Sequence, residues 1–441
     1  MHPVGAAPPL WTVLPFVALL LAIASLPLIR RHWWENHVNQ ALVAALFAAP
    51  AVAWLLTAGE TATLEHSLKD YVSFIALIGS LYVISGGIHL RGSLAGTPMG
   101  NSVLMAVGAV LANLIGTTGA SMVLIRPLLR ANEERKDRAH IVVFFIFVVS
   151  NCGGLLTPLG DPPLFLGFLN GVPFVWTLRL WAEWLLVNGL LLIVFHVVDE
   201  WKLDREEAAG PEPLLEEVLE HEPLKIEGRR NMLLLLGVVA VMLGRGEGWG
   251  TGDAGWPFGI QEAGMIGLTL LSLVITPPAV RKANRFGFGP ILEVAVLFLG
   301  IFLTMGPPLL YLNAHSQSLG VDRPWEFYWA TGLLSSFLDN APTYLTLAAT
   351  AAGDFGISVS EPGYLAHLLA AGPDAVRALS AISCGAVMMG ANTYIGNGPN
   401  FIVKSIAERH GVAMPSFVGY MRWSAVVLLP IFAVITLLFF R

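Results

Sequence analysis

The sequence predicts an all-α polytopic membrane protein with an inverted repeat: five transmembrane helices and one re-entrant hairpin in each half, with broken helices at the midplane. Of its 441 residues, 55% are hydrophobic and only 13% are charged, and the mean hydropathy is +0.67. Such a composition is typical of helical membrane proteins. The apolar runs are of helix length, and the alternating pattern of an outer-membrane barrel is absent. Two of these runs are interrupted at matching positions.

The first interruption breaks the apolar run 140–169 at residues 151–163, which hold three glycines, three prolines and Asp161. Backbone N–H and C=O groups that a broken helix leaves unpaired at membrane depth need hydrogen-bond partners inside the protein. A carboxylate at this depth is costly and is usually functional, so the broken helix with Asp161 is a candidate binding site. The second broken helix is predicted at 375–408, where residues 393–401 align with 157–165 and keep Thr, Gly, Pro and Phe in register. Two matching interruptions, one in each half, indicate the binding site of a secondary transporter.

The other elements of the first half, residues 1–198, follow from the apolar runs. A further apolar stretch, 99–130, is interrupted at 113–119. Its two parts are each too short for a membrane core that needs about 20 helical residues. We therefore predict a re-entrant hairpin with 113–119 at its tip. The remaining membrane spans are predicted at about 10–29, 38–57, 71–90 and 176–198.

Residues 199–230 are predicted to form an acidic cytoplasmic linker, because they are rich in charged residues and prolines. The second half, residues 231–441, then repeats the order of the first. Its hairpin is expected at 325–352, with the tip at 335–342. Its other spans are predicted at about 231–248, 258–277, 290–310 and 418–440.

An odd number of spans in each half requires the second half to be inverted relative to the first. With the N-terminus outside, six of the 25 Lys and Arg residues fall outside and 25 − 6 = 19 fall on the cytoplasmic side. The six are Lys69, Arg179, Arg245, Arg323, Arg377 and Arg441. This bias follows the positive-inside rule and predicts that both termini lie outside the cytoplasm. We expect an integral, multi-pass protein of a bacterial-type plasma (inner) membrane.

Four polar elements are predicted to meet near the midplane, and they supply the candidate site. Asp161 and Asp339 are the expected proton and cation coupling groups. The other expected ligands are Asn113, Thr117, Thr118, Asn151, Thr157, Gly160, Ser335, Ser336, Asn340, Asn392, Thr393, Gly396, Asn397 and Asn400. Hydroxyl, amide, backbone and carboxylate oxygens suit a hard cation such as Na⁺. We expect Na⁺ at the hairpin tips, at Thr117, Thr118, Ser336 and Asn340.

The charge of this site bears on the substrate. Two carboxylates without a Lys or Arg should repel a di- or tricarboxylate and attract a cation or a proton, although helix N-termini can bind anions alone. An alternative for both Asp residues is helix N-capping, but a charge at membrane depth costs about 2.5 kcal/mol or more. Hairpins that meet tip to tip argue against a passive channel. Motifs such as His-Glu-x-x-His and Gly-x-Ser-x-Gly are absent, so no enzyme and no cofactor are expected.

Two motifs resemble those of the ion transporter superfamily, which includes arsenite permeases, citrate/metal carriers and NhaD-type sodium/proton antiporters. They are the Ser-x-x-x-Asp-Asn-x-Pro motif at 335–342 and the Asn-x-Gly-Gly-x-x-Thr-Pro-x-Gly-Asp motif at 151–161, which is similar to the NhaD-type branch. The resemblance implies an elevator-type carrier, commonly a homodimer. In the dicarboxylate branch each tip carries Ser-Asn-Thr, whereas here the tips read Gly-Thr-Thr at 116–118 and Asp-Asn-Ala at 339–341.

The leading hypothesis is therefore a Na⁺/H⁺ antiporter, with Na⁺ and H⁺ as the transported ions. The alternative is an arsenite or citrate/organic-anion permease of the same superfamily. The expected partners are membrane lipid and small inorganic ions, and not nucleic acid.

Overall fold

The computed structural model describes residues 8–92, 95–209, 225–251 and 256–441. Within these ranges eight helices are long and apolar enough to cross a membrane, as judged by length and composition. The one sheet in this part of the chain is a two-stranded ribbon. The all-α, polytopic class predicted from the sequence is confirmed.

Eight α-helices are described in the first half. They are α1 (Leu14–Ile29), α2 (Arg31–Trp34), α3 (His37–Thr57), α4 (Thr61–Ser85), α5 (Pro98–Ala131), α6 (Ala139–Val148), α7 (Pro162–Leu169) and α8 (Trp181–Ala209). Helix α4 starts ten residues before the predicted span, because the polar segment is itself helical. Its charged side chains pair along the helix, with 2.5 Å between Lys69 Nζ and Glu65 Oε1.

Ten α-helices are described in the second half. They are α9 (Arg230–Gly246), α10 (Ile260–Ile275), α11 (Pro278–Ala283), α12 (Gly289–Ala314), α13 (Pro324–Phe337), α14 (Asn340–Asp354), α15 (Tyr364–Ala370), α16 (Pro373–Met389), α17 (Gly398–Arg409) and α18 (Phe417–Phe440). Helix α18 contains one π-helical segment at Ser424–Leu428 and ends in another at Thr436–Phe440. The short helices α11 and α15 lie in links that the apolar pattern left without structure.

The region predicted as a linker is structured at both ends. Helix α8 continues through Ala209, and Asp199 is fully buried inside the protein. Strand β1 (His89–Arg91) pairs antiparallel with β2 (Lys225–Glu227), with His89 opposite Glu227. Residues 210–224, which make up much of the predicted linker, lie outside the described residues.

Helix α5 is bent into two arms at Gly116, which has φ 78° and ψ 154°. A positive φ of this kind is accessible to glycine at little cost. The two ends of α5 meet, since Asn101 Nδ2 donates to Asn132 Oδ1 at 2.9 Å and Asn132 Nδ2 donates back to Asn101 Oδ1 at 2.8 Å. The chain therefore folds back on itself, and the bend lies inside the predicted tip, 113–119. We call this element hairpin 1.

Helices α13 and α14 form the corresponding hairpin 2. Leu338 and Asp339 are extended between the two helices, and the Asp339 side chain accepts a hydrogen bond from Ala341 N at 3.0 Å. At the other end of the hairpin the charges of Asp322 and Asp354 are close enough to interact. The helices are therefore interrupted within both predicted tips, at Gly116 and at Leu338–Asp339, and the re-entrant character of the two hairpins stays a prediction.

The broken helices occupy the centre of the protein. No residue from 141 to 149 is more than 1% exposed, and 83% of the apolar segment Pro373–Asn392 is buried. By contrast, only 28% of α3 and 22% of the segment that contains α8 are buried. The outer helices therefore present apolar faces to the surroundings, and the interrupted backbone lies where other protein groups can satisfy it.

Candidate functional site

The two broken helices resume at equivalent residues with nearly the same backbone conformation. Asp161 precedes α7 with φ −146° and ψ 145°, and Asn397 precedes α17 with φ −152° and ψ 140°. These are the two positions that the sequence alignment pairs. Both helices therefore begin at one place in the core, and Asn397 Nδ2 lies 3.2 Å from Asp161 Oδ1.

A close backbone crossing precedes each of these residues. A Cβ atom added to Gly160 would lie 2.1 Å from Gly154 O, and one added to Gly396 would lie 2.6 Å from Gly390 O. A side chain fits at neither position without moving the main chain. Gly160 and Gly396, which the sequence proposed as site residues, thus allow this crossing in both halves.

The same hydrogen bond ties each hairpin to the broken helix of its own half. Thr157 Oγ1 donates to Asn113 O at 2.5 Å, and Thr393 Oγ1 donates to Ser336 O. The side chain of Asn113 adds a second link, because its Nδ2 donates to Gly153 O at 2.7 Å and its Oδ1 accepts from Leu156 N at 2.7 Å. These four predicted site residues therefore hold the tips in position.

Asp161 is the residue on which the two halves converge. Its Oδ1 accepts from Thr117 Oγ1 at 2.8 Å and from Asn397 Nδ2 at 3.2 Å, and its Oδ2 accepts from Asn340 Nδ2. The carboxylate is 1% exposed and makes no capping hydrogen bond to α7. Three donors from three different elements thus enclose one buried carboxylate.

Asp339 has a different environment from Asp161. Its carboxylate caps α14 through the hydrogen bond to Ala341 N, and the residue is only half-buried. Its negative charge nevertheless acts on the Asp161 carboxylate, so the two acids repel each other when both are ionised. The N-cap interpretation considered from the sequence fits the hydrogen bond of Asp339 but not the partners of Asp161.

Two buried amide oxygens have no hydrogen-bond donor among the described residues. They are Asn340 Oδ1 and Asn392 Oδ1, while the amide nitrogens of the same side chains donate to Asp161 Oδ2 and Ser336 Oγ. Buried acceptors are almost always paired, so these two unpaired oxygens need an explanation. Amide oxygens beside carboxylates suit a hard cation. In the described part of the chain, no three His, Cys, Asp or Glu residues form a metal-binding group.

Three predicted site residues, Asn151, Asn400 and Ser335, hold neighbouring groups of the site in position. Asn151 Oδ1 accepts from Asn397 Nδ2 at 3.1 Å, and Asn151 Nδ2 donates to Asn400 Oδ1 at 2.7 Å, which orients Asn397 toward Asp161. Ser335 Oγ donates to Ala386 O at 2.7 Å and so joins hairpin 2 to α16. The hydroxyl of half-buried Thr118 has no hydrogen bond within the described ranges.

Several donors that satisfy the interrupted backbone were not predicted from the sequence. Trp184 Nε1 donates to Gly153 O at 2.8 Å, and Thr177 Oγ1 donates to Leu156 O at 2.9 Å. In the second half, Tyr420 Oη and Ser424 Oγ donate to carbonyl oxygens of the segment Gly390–Asn392 at 2.9 and 2.8 Å. Polar residues within the apolar spans were the available signal for these partners.

Comparison with known proteins identifies the family. Residues 5–440 match the family model whose description reads "Putative citrate transport". A search of curated proteins found no match. The family match and the eight apolar helices indicate a membrane transporter. Because the match covers nearly the whole chain, the protein belongs to this citrate transport family of the ion transporter superfamily and is an integral, multi-pass membrane protein.

Proposed function

We propose that the protein is a secondary transporter that exchanges Na⁺ for H⁺, with Asp161 and Asp339 as the coupling groups. The observation that carries this proposal is the buried Asp161 carboxylate, which accepts a hydrogen bond from Asn340, a side chain whose own amide oxygen is unpaired among the described residues. Among the described residues, the hydrogen bonds of Asp161 come from Thr117, Asn340 and Asn397, and none comes from Lys or Arg. Such a site has excess negative charge and oxygen ligands to offer a cation.

Exchange follows from competition for the same oxygens. Bound Na⁺ would use the carboxylates of Asp161 and Asp339 together with the amide oxygens of Asn340 and Asn392. A proton on the carboxylate removes the charge that attracts Na⁺, so cation and proton would occupy the site alternately. The coupling then needs no further group, because one binding event displaces the other.

Hydrogen bonds link the hairpins to the broken helices, which supports the proposal that these elements move together as one rigid body. Thr157 joins hairpin 1 to the first broken helix, and Asn340 joins hairpin 2 to Asp161 in that same helix. We propose that these elements form the mobile domain of an elevator-type mechanism. The outer helices α3, α4, α9, α10 and α12 would then be the scaffold in an inverted repeat with re-entrant hairpins. The scaffold would also be the surface for the lipid contacts and the homodimer.

A citrate or other organic anion is the second candidate substrate. The family description favours it, and so does the convergence of two helix N-termini at Asp161 and Asn397, since helix N-termini attract anions. The carboxylates of Asp161 and Asp339 should repel an organic anion, which argues against this substrate. Arsenite remains the further alternative within the superfamily.

Transport by everted membrane vesicles separates these candidates. Under an imposed pH gradient, we expect Na⁺ or Li⁺ to release the stored protons and citrate or arsenite to release none. Asp161→Asn and Asp339→Asn should each abolish the Na⁺ response, because the side chain can no longer carry a proton.

Asp374→Asn is the matched control, since Asp374 is an exposed carboxylate in the first turn of α16. It should exchange Na⁺ at the wild-type rate. If citrate releases protons and Na⁺ does not, the antiporter hypothesis is rejected and the organic-anion permease is supported. A wild-type Na⁺ response in either site variant would remove that Asp from the mechanism.

A further inference from the structure

Asp70 is a buried acid that the proposed exchange does not use. It lies on α4 and is 7% exposed. Its Oδ2 atom lies 3.4 Å from Nε2 of His66, one turn earlier on the same helix, and accepts a hydrogen bond from Asn170 Nδ2 at 3.5 Å. Buried carboxylates within membrane spans are costly and usually serve a function. The partners of Asp70 indicate what this function is.

Asn170 is the residue at which α7 ends, and it is 4% exposed. Its Nδ2 donates to Leu166 O in α7 at 2.9 Å as well as to Asp70, and its Oδ1 accepts from His66 Nε2 at 3.3 Å. Both polar atoms of this buried side chain therefore bind to α4. We call His66, Asp70 and Asn170 the outer clamp, because they lie on the predicted outer side of the membrane.

Other elements also hold this end of α7. Leu365 N, from α15, donates to Asn170 O at 3.1 Å. The guanidinium of Arg245, from α9, lies 5.8 Å from the ring centroid of Phe168 in the last turn of α7. The end of α7 is thus fixed by contacts from three helices, of which α4 supplies the side-chain hydrogen bonds.

Helix α7 connects the outer clamp to the proposed ion site. It begins after Asp161 and ends before Asn170, so eight residues, or about 12 Å of helix, separate the two. Residues 163–169 are all buried. Close-packed interiors transmit displacements, so a shift of Asn170 along the helix axis would move Asp161 away from its hydrogen-bond donors.

The equivalent position in the second half is apolar. Asn170 lies nine residues after Asp161, and the residue nine places after Asn397 is Ile406. Ile406 lies within α17, which continues to Arg409, and residues 408–410 are exposed. The polar clamp therefore occurs in the half whose broken helix begins with an acid.

We infer that Asp70 and His66 are positioning residues that hold Asn170 and, through α7, the carboxylate of Asp161. This role rests on the proposed function, in which Asp161 binds Na⁺ and H⁺ in turn. Helix α4 belongs to the proposed scaffold, so the clamp joins the scaffold to the broken helix in the conformation seen here. Asp70 acts as a hydrogen-bond acceptor, and the role needs an oxygen at this place rather than a negative charge.

The test measures the Na⁺ concentration for half-maximal proton release from everted vesicles. Asp70→Ala should raise this concentration at least about threefold, as the loss of one hydrogen bond does. Asp70→Asn keeps an acceptor oxygen and should restore the wild-type value. Asn170→Ala should match Asp70→Ala, and the double variant should be no worse than either, because both changes remove the same contact.

Glu65→Ala is the matched control, since it removes an exposed carboxylate from the same helix, and it should behave like the wild type. Asn170→Ala provides the same test if Asp70→Ala does not insert into the membrane. A lower unfolding temperature of Asp70→Ala with unchanged Na⁺ dependence would refute the positioning role. Equal losses in Asp70→Asn and Asp70→Ala would show that the charge is required, and would also overturn it.

The wild-type protein separates this inference from the proposed function. If Na⁺ releases no protons from the wild type, the Na⁺/H⁺ exchange is rejected. The same variants are then compared with citrate or arsenite, whichever releases protons, and the positioning role still requires the loss in Asp70→Ala and its rescue in Asp70→Asn.

Discussion

Gly160→Ala tests whether the backbone crossing before α7 positions Asp161. The new Cβ would lie 2.1 Å from Gly154 O, whereas real Cβ contacts essentially never fall below 3.0 Å. The neighbouring atoms are backbone, so the two segments must separate by at least 3.0 − 2.1 = 0.9 Å. Gly160 O also accepts a hydrogen bond from Thr117 N at 2.8 Å. If the separation falls along this bond, it lengthens to about 3.7 Å, beyond hydrogen-bonding distance.

The assay measures Na⁺-dependent proton release from everted vesicles and the unfolding temperature of the purified protein. A displacement of about 1 Å at a reacting group can reduce a rate about 100-fold, so we expect a loss of that order. Overpacking should also lower the free energy of unfolding by about 1–3 kcal/mol.

The control is Gly189→Ala in α8, where the added Cβ meets no atom within 4 Å. It should transport like the wild type, and its stability should be equal or slightly higher, because Ala favours helix. Wild-type transport by normally expressed Gly160→Ala would refute the reasoning that this crossing sets the position of Asp161.

Three other variants test separate features. Asn340→Ala removes a donor to the Asp161 carboxylate and an unpaired oxygen, so the Na⁺ concentration for half-maximal exchange should rise about tenfold or more. Asp199→Asn removes the buried charge that lies 2.5 Å from Arg135, and it should lower the free energy of unfolding by about 3–5 kcal/mol, measured by thermal or denaturant unfolding. Arg229→Cys should react with an impermeant maleimide in everted vesicles but not in intact cells, as the predicted topology requires.

Each of these tests has its own control. Unchanged Na⁺ dependence in Asn340→Ala would argue against a cation at hairpin 2. The exposed Asp204→Asn lies on the same helix as Asp199 and should leave stability unchanged. Both native cysteines are buried, so they should not react with the maleimide. Labelling of residue 229 in intact cells would contradict the inverted arrangement.

Local sequence patterns predicted most of the helices because each helix and each break has a signal within its own residues. Gly116 bends α5 inside the predicted tip, and the broken helices resume after Asp161 and Asn397 as the aligned motifs suggested. The end of α8 was harder to predict. Asp199 belongs to an acidic segment that looks solvated, yet it is buried against Arg135, which lies 64 residues earlier. Composition carries no information about such a distant partner.

The residue types of the site were easier to predict than their pairings. The sequence identified Asn113 and Thr157 as candidate ligands, but the structure uses them to tie hairpin 1 to the broken helix. Trp184 was not among the candidate site residues, yet it donates to a carbonyl of the interrupted backbone. Both differences arise because a broken helix exposes carbonyl groups whose partners come from other helices. Those partners depend on packing rather than on a local pattern.

The convergence of both halves on Asp161 has an evolutionary consequence. The equivalent position in the second half is Asn397, and the second acid, Asp339, corresponds to Gly116 in the first. If the two halves arose by duplication, each has kept a single acid, at a position where the other has none. A partner from the second half, Asn340, now binds the acid of the first. If Asp161 and Asp339 form the proposed ion site, neither half encodes a complete site, and selection on ion binding acts on both halves together rather than on either one alone.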